Sequence, residues 1–301
     1  MNMQRLVLCG SVSLGMFALA CPAFADGFPG FNPCSALPSQ GKLQGALENA
    51  VGQSNGGLGF NMWATLVAND GTVCAVAFSG NKFTDQWLGS RVISAQKANT
   101  ANDFSLGTDA SMPSGSVAPH GLALSTANLF SAVQPGGTLY GLQHSNPVDP
   151  EIAYQGPAIL FGTQNDPLVG QRVGGVNVFG GGLALYASGG KKVGGVGVSG
   201  DTSCTDHFVA WRVRSTLQGL GLDHFGPSSA GVGGVSGDAD RPDNIILDFT
   251  PTANGGILNP NPNTDANKGM AVSSSGGFGH PVCDAGKGTL SPTTLPAVQH
   301  N

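Results

Sequence analysis

Two pairs of short apolar runs stand apart in the chain, and turn residues join the members of each pair. Asn61–Ala68 and Thr72–Ser79 flank Asn69, Asp70 and Gly71. An Asp-Gly step between apolar runs is a strong signal for a β-hairpin. Gly182–Tyr186 and Val193–Val198 flank a segment that contains Ser-Gly-Gly, which also suits a hairpin turn. The pattern therefore predicts two antiparallel strand pairs.

Helical spacing of apolar residues marks four other stretches. They are Ser39–Gln53, Asp85–Phe104, Leu122–Val133 and a segment that opens at Ser203. In the last, we expect Ser203 to be the N-cap and Asp206 to lie in the first turn, where a carboxylate is favoured. Its predicted apolar face consists of Phe208, Val209, Val213, Leu217 and Leu220.

The order of these elements predicts the fold class. Sequential hairpins with helices between them indicate an antiparallel sheet with helices on its faces, which is an α+β domain. We place this domain at residues 26–222, with a long Pro-containing insertion at about 139–175. Residues 223–301 form a Gly/Pro-rich extension that we expect to pack on the domain, with one plausible strand at Asn244–Thr250.

Composition adds long loops to this picture and removes one class of partner. The 301 residues include 48 Gly and 19 Pro, and only 10% are charged. The net charge is −5 and no basic block is present, so a surface that binds nucleic acid is not indicated. Hydrophobic residues, at 40%, are sufficient for a sizeable core.

The first 25 residues read as a signal peptide. Arg5 precedes the apolar run Leu6–Leu19, and Ala23-Phe24-Ala25 is an A-x-A cleavage site before Asp26. A lipoprotein signal at Cys21 is the alternative. No later stretch has the apolar length of a membrane helix. The sequence predicts a periplasmic or secreted protein that is cleaved after Ala25.

Export gives the remaining cysteines a structural meaning. Cys34, Cys74, Cys204 and Cys283 are an even set, for which an oxidising compartment favours disulfides. Three connectivities are open, and we favour Cys34–Cys74 with Cys204–Cys283. A metal site is the weaker interpretation because no C-x-x-C spacing occurs.

Candidate chemistry is sparse. The sequence has no nucleophile elbow, zincin motif or P-loop. Among six histidines, His207 stands out because Cys204, Asp206 and Trp211 lie near it at the start of a predicted helix, although a helix-start His that only hydrogen-bonds to a loop is the plainer interpretation. Arg91 and Lys97 can anchor carboxylates or simply face solvent.

Three long stretches carry a resemblance to a known family. TANLFSAVQPGGTLYGLQHSNPVDP, NDPLVGQRVGGVNVFGGGLALY and VGGVGVSGDTSCTDHFVAWRVR resemble the exported, long-insertion branch of the GlcG/HbpS family of haem-binding proteins, and SAQKANTANDF matches its shared core. The resemblance implies a profilin-like fold with a five-stranded antiparallel sheet between helices. It also implies homo-oligomers that bind haem or a related tetrapyrrole non-covalently.

The resemblance implies haem but no shared motif for the iron ligand, so the roles of the candidate residues follow from their positions if haem binds at the start of the Ser203 helix. His207 is the expected iron ligand, with Trp211 as an apolar wall and Arg91 or Lys97 meeting a propionate. His144, in the insertion, is the alternative ligand. The expected function is haem scavenging, storage or sensing. Two other functions stay open because no catalytic constellation is evident: an enzyme that acts on a tetrapyrrole or small organic substrate, and a cofactor-free assembly module.

Overall fold

A computed structural model describes most of the chain between residues 32 and 298. The described residues are 32–116, 118–135, 137–219, 226–227, 232–236, 238–247, 249–250, 259–260, 277–283 and 290–298. The predicted signal peptide, residues 1–25, and Leu220 lie outside them.

Helices and strands alternate in blocks along the described chain. The helices are α1 (Gln40–Val51), α2 (Ser90–Asp103), α3 (Thr126–Ala132), α4 (Pro150–Ala153) and α5 (Ser203–Gly219). The strands are β1 (Trp63–Ala68), β2 (Val73–Phe78), β3 (Leu122–Ala123), β4 (Gly182–Tyr186), β5 (Lys192–Ser199), β6 (Gly233–Gly234), β7 (Phe249–Thr250) and β8 (Asn259–Pro260).

The two predicted hairpins form one antiparallel sheet with the order β2-β1-β5-β4. Asn69–Gly71 turns the first hairpin, with Gly71 at φ 82°. The hairpins meet where β1 pairs with β5, from Trp63 opposite Ser199 to Ala68 opposite Gly194. The α+β class is confirmed. Within the described residues this sheet has four strands, so the five-stranded profilin-like sheet is not confirmed.

The sheet separates two apolar clusters, because side chains alternate between its faces. Leu66 packs on one face in a cluster that includes residues of α1 and α5. Val67 packs on the other face, in a cluster that includes residues of α2. Glycines in β5 allow α2 to lie close to the strand backbone: a Cβ at Gly197 would come within 2.0 Å of the carbonyl oxygen of Ser94.

Several predicted elements have different bounds in the structure, and α2 begins at Ser90 rather than at Asp85. The helix expected over Leu122–Val133 is replaced by the short strand β3 and then α3. Ser125 is the cap, because its hydroxyl accepts a hydrogen bond from the backbone N–H of Asn128. Of the strand expected over Asn244–Thr250, the residues that the structure describes form only β7.

The insertion and the described parts of the C-terminal extension both contribute to the core. Leu168 and Val173 of the insertion are buried against the α2 cluster. Leu295 and Val298 are buried in the α1–α5 cluster. None of the described helices combines the length and apolar character that a membrane span requires.

Both favoured disulfides are present. Cys34 is bonded to Cys74, and Cys204 is bonded to Cys283, with Cα–Cα distances of 5.4 and 6.0 Å. The first joins the segment before α1 to β2. The second joins the first turn of α5 to the C-terminal extension, 79 positions along the chain.

Candidate functional site

The first turn of α5 is held by side chains that bind backbone N–H groups. The hydroxyl of Thr202 accepts from the N–H of Thr205 at 3.4 Å, so Thr202 is the cap rather than Ser203. The carboxylate of Asp206 accepts from the N–H groups of Gly200 and Asp201 at 3.1 and 2.9 Å. Asp206 therefore fixes the turn between β5 and the helix.

Lys97 is the ion-pair partner of Asp206. Its Nζ lies 2.5 Å from Asp206 Oδ2, and both side chains are fully buried. Burial raises the pKa of Asp206 to about 7, although the Lys97 ammonium opposes the shift. Burial also lowers the pKa of Lys97 from its ordinary value. Lys97 is thus a buried residue of the core, where it forms an ion pair with Asp206.

Arg91 likewise forms a buried ion pair, with Asp166. Its guanidinium donates to both carboxylate oxygens of Asp166, and to the carbonyl oxygen of Ala153 at 3.2 Å. The guanidinium carbon lies 3.7 Å from the centre of the Phe161 ring. Both Arg91 and Lys97 are buried and paired with carboxylates of the chain itself. Contact of either with a ligand carboxylate stays a prediction.

His207 lies inside the core, beside Trp211 one turn along α5. The two ring centres are 6.0 Å apart, and the indole N–H of Trp211 donates to the carbonyl oxygen of Pro296. His207 Nε2 accepts from the backbone N–H of Ile245 at 3.1 Å, whereas its Nδ1 has no hydrogen-bond partner in the described structure. Burial lowers the pKa of His207 to about 4, so the ring is neutral at pH 7.

A cavity of about 480 Å³ lies elsewhere, between α2, α3 and the insertion, and neither His207 nor Trp211 lines it. Its walls are Trp87, Ser90, Ile93, Phe130, Gln134, Gln143, His144, Val176, Asn177, Val178, Phe179, Ser199 and Asp201. His144, the alternative ligand, is exposed at the end of a 3-10 turn that begins after Gly141. Its Nε2 lies 3.5 Å from the amide nitrogen of Gln143.

The polar groups on the cavity wall are almost all uncharged. Within the described part of the chain, no Lys or Arg is found in the lining. Its one carboxylate, Asp201, accepts backbone N–H groups from Leu58, Gly59 and Phe60 at 2.7–3.1 Å. Aromatic and aliphatic walls with a few amides and one imidazole are typical of a pocket for a largely apolar organic ligand.

Sequence reasoning missed His280, which lies against the first turn of α5. Its Nε2 is 2.7 Å from the hydroxyl of Ser203, and its Nδ1 is 2.6 Å from the carbonyl oxygen of Pro281. A carbonyl accepts only, so Nδ1 carries the proton and Nε2 accepts from Ser203. Burial lowers the pKa of His280 to about 4. The sequence signal was the spacing of His280 and Cys283, three residues apart.

No family model matches this sequence, and no curated protein does. Several solved structures match this chain. A PduOC–haem complex is 22% identical, with 58% of this chain and 89% of that chain covered and a TM-score of 0.37. A Klebsiella pneumoniae protein, ORFY of the DUF336 family, is 21% identical over 62% and 90%, with a TM-score of 0.38. HbpS is 16% identical over 59% and 86%, with a TM-score of 0.36.

All three likenesses are below 25% identity and have TM-scores below 0.5. The chemistry available to this chain is set by its own residues, foremost the imidazole of His144 on an apolar cavity.

Proposed function

We propose that this chain is an exported protein that binds haem or a related tetrapyrrole in the cavity at His144. The observation that carries the proposal is an imidazole on the wall of an apolar cavity of about 480 Å³. Ligand pockets usually measure about 300–1,000 Å³, and imidazole is a common ligand of haem iron. The family resemblance supports the same ligand, and with it a homo-oligomer and a profilin-like sheet.

His144 suits the role of iron ligand better than His207 does. The His207 ring is fully buried, and its Nε2 already accepts a backbone hydrogen bond. His144 is exposed at the cavity, and its Nε2 lies 3.5 Å from the amide nitrogen of Gln143, which is long for a hydrogen bond. His207 binds iron only if the contacts around Ile245 open, so it is the second choice.

The remaining cavity residues define how a tetrapyrrole would be held. Phe130, Val178 and Phe179 offer apolar contact to the macrocycle and exclude water from it. Since no Lys or Arg among the described residues lines the cavity, we place the propionates at its mouth, in solvent or near the amides of Gln134 and Gln143. Bound haem would supply iron for ligand exchange or electron transfer, and the chain itself would hold and shield it, as scavenging, storage or sensing require.

A haemin titration of tag-free mature protein tests the proposal. We expect a Soret band that saturates at a defined ratio. His144→Ala should shift this band and weaken binding roughly tenfold or more, while His207→Gln and His120→Ala should leave both unchanged. His120 is exposed and does not line the cavity, so it controls for surface histidines.

Two results would contradict the proposal. Binding that never saturates removes haem as a specific ligand. An unaltered spectrum and affinity for His144→Ala, with loss in His207→Gln, returns the ligand role to His207. The enzymatic alternative is separated by adding a reductant: a Soret band that persists for hours supports binding, and its loss with release of a product supports turnover.

A further inference from the structure

Two sulfurs and an imidazole nitrogen converge where the C-terminal extension meets α5. His280 Nδ1 lies 3.9 Å from Cys204 Sγ and 4.0 Å from Cys283 Sγ. The three candidate ligand atoms lie within 4.8 Å of one another. Among the described residues, this is the one group of three or more His, Cys or carboxylate side chains close enough to share an ion. The disulfide occupies both sulfurs, and a thiolate is what binds a metal.

We propose that reduction of the Cys204–Cys283 disulfide turns this cluster into a binding site for a thiophilic cation such as Zn²⁺. A dithiol reductant supplies two electrons and two protons, and it becomes a disulfide itself. The S–S bond breaks and leaves two thiols. A divalent cation then displaces both thiol protons and bonds to the two sulfurs and to His280.

The distances suit this ligand set. In a tetrahedral zinc site, bonds of about 2.3 Å to sulfur and about 2.0 Å to nitrogen place S and N about 3.5 Å apart and the two sulfurs about 3.8 Å apart. Reduction separates the sulfurs, and the two S–N distances need to shorten by less than an ångström. The carbonyl oxygen of Pro281 lies 3.9 Å from each sulfur and offers a fourth donor.

Surrounding residues favour His280 as a ligand. When Nδ1 binds the cation, the ring proton moves to Nε2, which then donates to the Ser203 hydroxyl 2.7 Å away. A hydrogen bond of this kind orients the ring of a metal-bound histidine. Ser203 is itself fixed by the backbone N–H of Gly180 at 2.7 Å. Cys283 is half-buried, so a cation can reach the site from solvent next to Cys283.

The test measures Zn²⁺ binding to the reduced full-length mature chain, after the dithiol is removed without air. Competition with a chromophoric chelator should show one tightly bound ion per chain. Zn²⁺ should slow alkylation of Cys204 and Cys283, whereas Cys34 and Cys74, the other disulfide, stand outside the group and should react as before. Oxidised protein should bind no ion at this site.

Variants distinguish the loss of a metal ligand from the loss of the folded state. His280→Ala should weaken Zn²⁺ binding at least tenfold, and the Cys34→Ser/Cys74→Ser double variant should bind as the wild type does. Ser203→Ala keeps all ligands but removes the hydroxyl that orients His280, and it should weaken Zn²⁺ binding several-fold relative to wild type. It therefore tests the site even when His280→Ala does not fold. Absence of Zn²⁺ binding by reduced, folded wild type would overturn the proposal. Equal protection of all four cysteines, or wild-type affinity in a folded His280→Ala protein, would overturn it too.

Discussion

The Nζ atom of Lys97 lies 2.5 Å from Oδ2 of Asp206, 109 positions along the chain, with both side chains fully buried. Removing one partner leaves a buried charge without compensation, which typically costs about 3–5 kcal/mol. Lys97→Met should therefore lower the free energy of unfolding on the order of 3 kcal/mol, measured by urea unfolding at pH 7. Asp206→Asn in the same chain should restore part of the loss, because its amide oxygen still accepts from Gly200 and Asp201. Purely additive costs in this double-mutant cycle would show that the pair is uncoupled.

Burial of His207 makes the free energy of unfolding depend on pH, and a single variant can isolate this contribution. The pKa of His207 is about 4 in the folded protein against an ordinary value of 6.5, so between these values the unfolded chain binds more protons. The free energy of unfolding should fall as the pH drops through this window, by on the order of 3 kcal/mol from this group. His207→Gln removes that dependence, while its amide oxygen still accepts from Ile245.

Comparing wild type with His207→Gln removes the contributions of the other titrating groups to the pH dependence of stability. His280 acts in the same direction as His207, because burial lowers its pKa too. Asp206 acts in the opposite direction, because its folded pKa is raised and its contribution is lost as the pH rises. Both residues are present in wild type and in His207→Gln. Parallel stability curves between pH 4 and 6.5 would mean that His207 binds as many protons in the folded state as in the unfolded state, so that burial does not lower its pKa.

The hairpins could be predicted from sequence because their signals are local. Asp70 and Gly71 form a tight turn between two apolar runs, and β4 and β5 are only a few residues apart. The helix expected from Leu122 began too early because Ser125, inside the apolar run, caps the helix with its own hydroxyl. Apolar spacing alone does not distinguish a short strand followed by a cap from one continuous helix.

The candidate site was harder to predict because its contacts are distant in sequence. Arg91 and Lys97 read as surface cations, yet Asp166 and Asp206 bind them in the interior from 75 and 109 positions away. The connectivity of Cys204 and Cys283 was predicted, but not that His280 packs on them. His144 was named only as an alternative, since no local pattern shows that three separate segments enclose a cavity beside it.

Filling the cavity provides a test of the ligand site that leaves His144 intact. Ile93 is half-buried on α2 and lines the cavity, so Ile93→Trp places an indole in the space proposed for the macrocycle. Haemin affinity should fall roughly tenfold or more, with little change in the free energy of unfolding. Ile159→Trp is the matched control, because Ile159 is 77% exposed and does not line the cavity. Equal haemin affinity in both variants would place the ligand elsewhere.

The two disulfides should differ in what they hold in place. They join residues 40 and 79 positions apart, and each is worth about 4 kcal/mol in the chain-entropy model. Only Cys204–Cys283 lies beside the segment 277–283, whose Gly279 and His280 N–H groups donate to the carbonyl oxygens of Asn128 and Ile246.

Cys204→Ser/Cys283→Ser should therefore speed hydrogen exchange at Gly279 and His280, while Cys34→Ser/Cys74→Ser should leave those two amides protected even though both variants lose overall stability. Exchange is best followed well below the unfolding transition, so that local opening dominates over global unfolding. Non-reducing peptide mapping of the wild type should first recover both bonded pairs. Free thiols at Cys204 and Cys283 in that map, or equal exchange in the two double variants, would show that the extension is held by its packing on α3 and α5 and not by the disulfide.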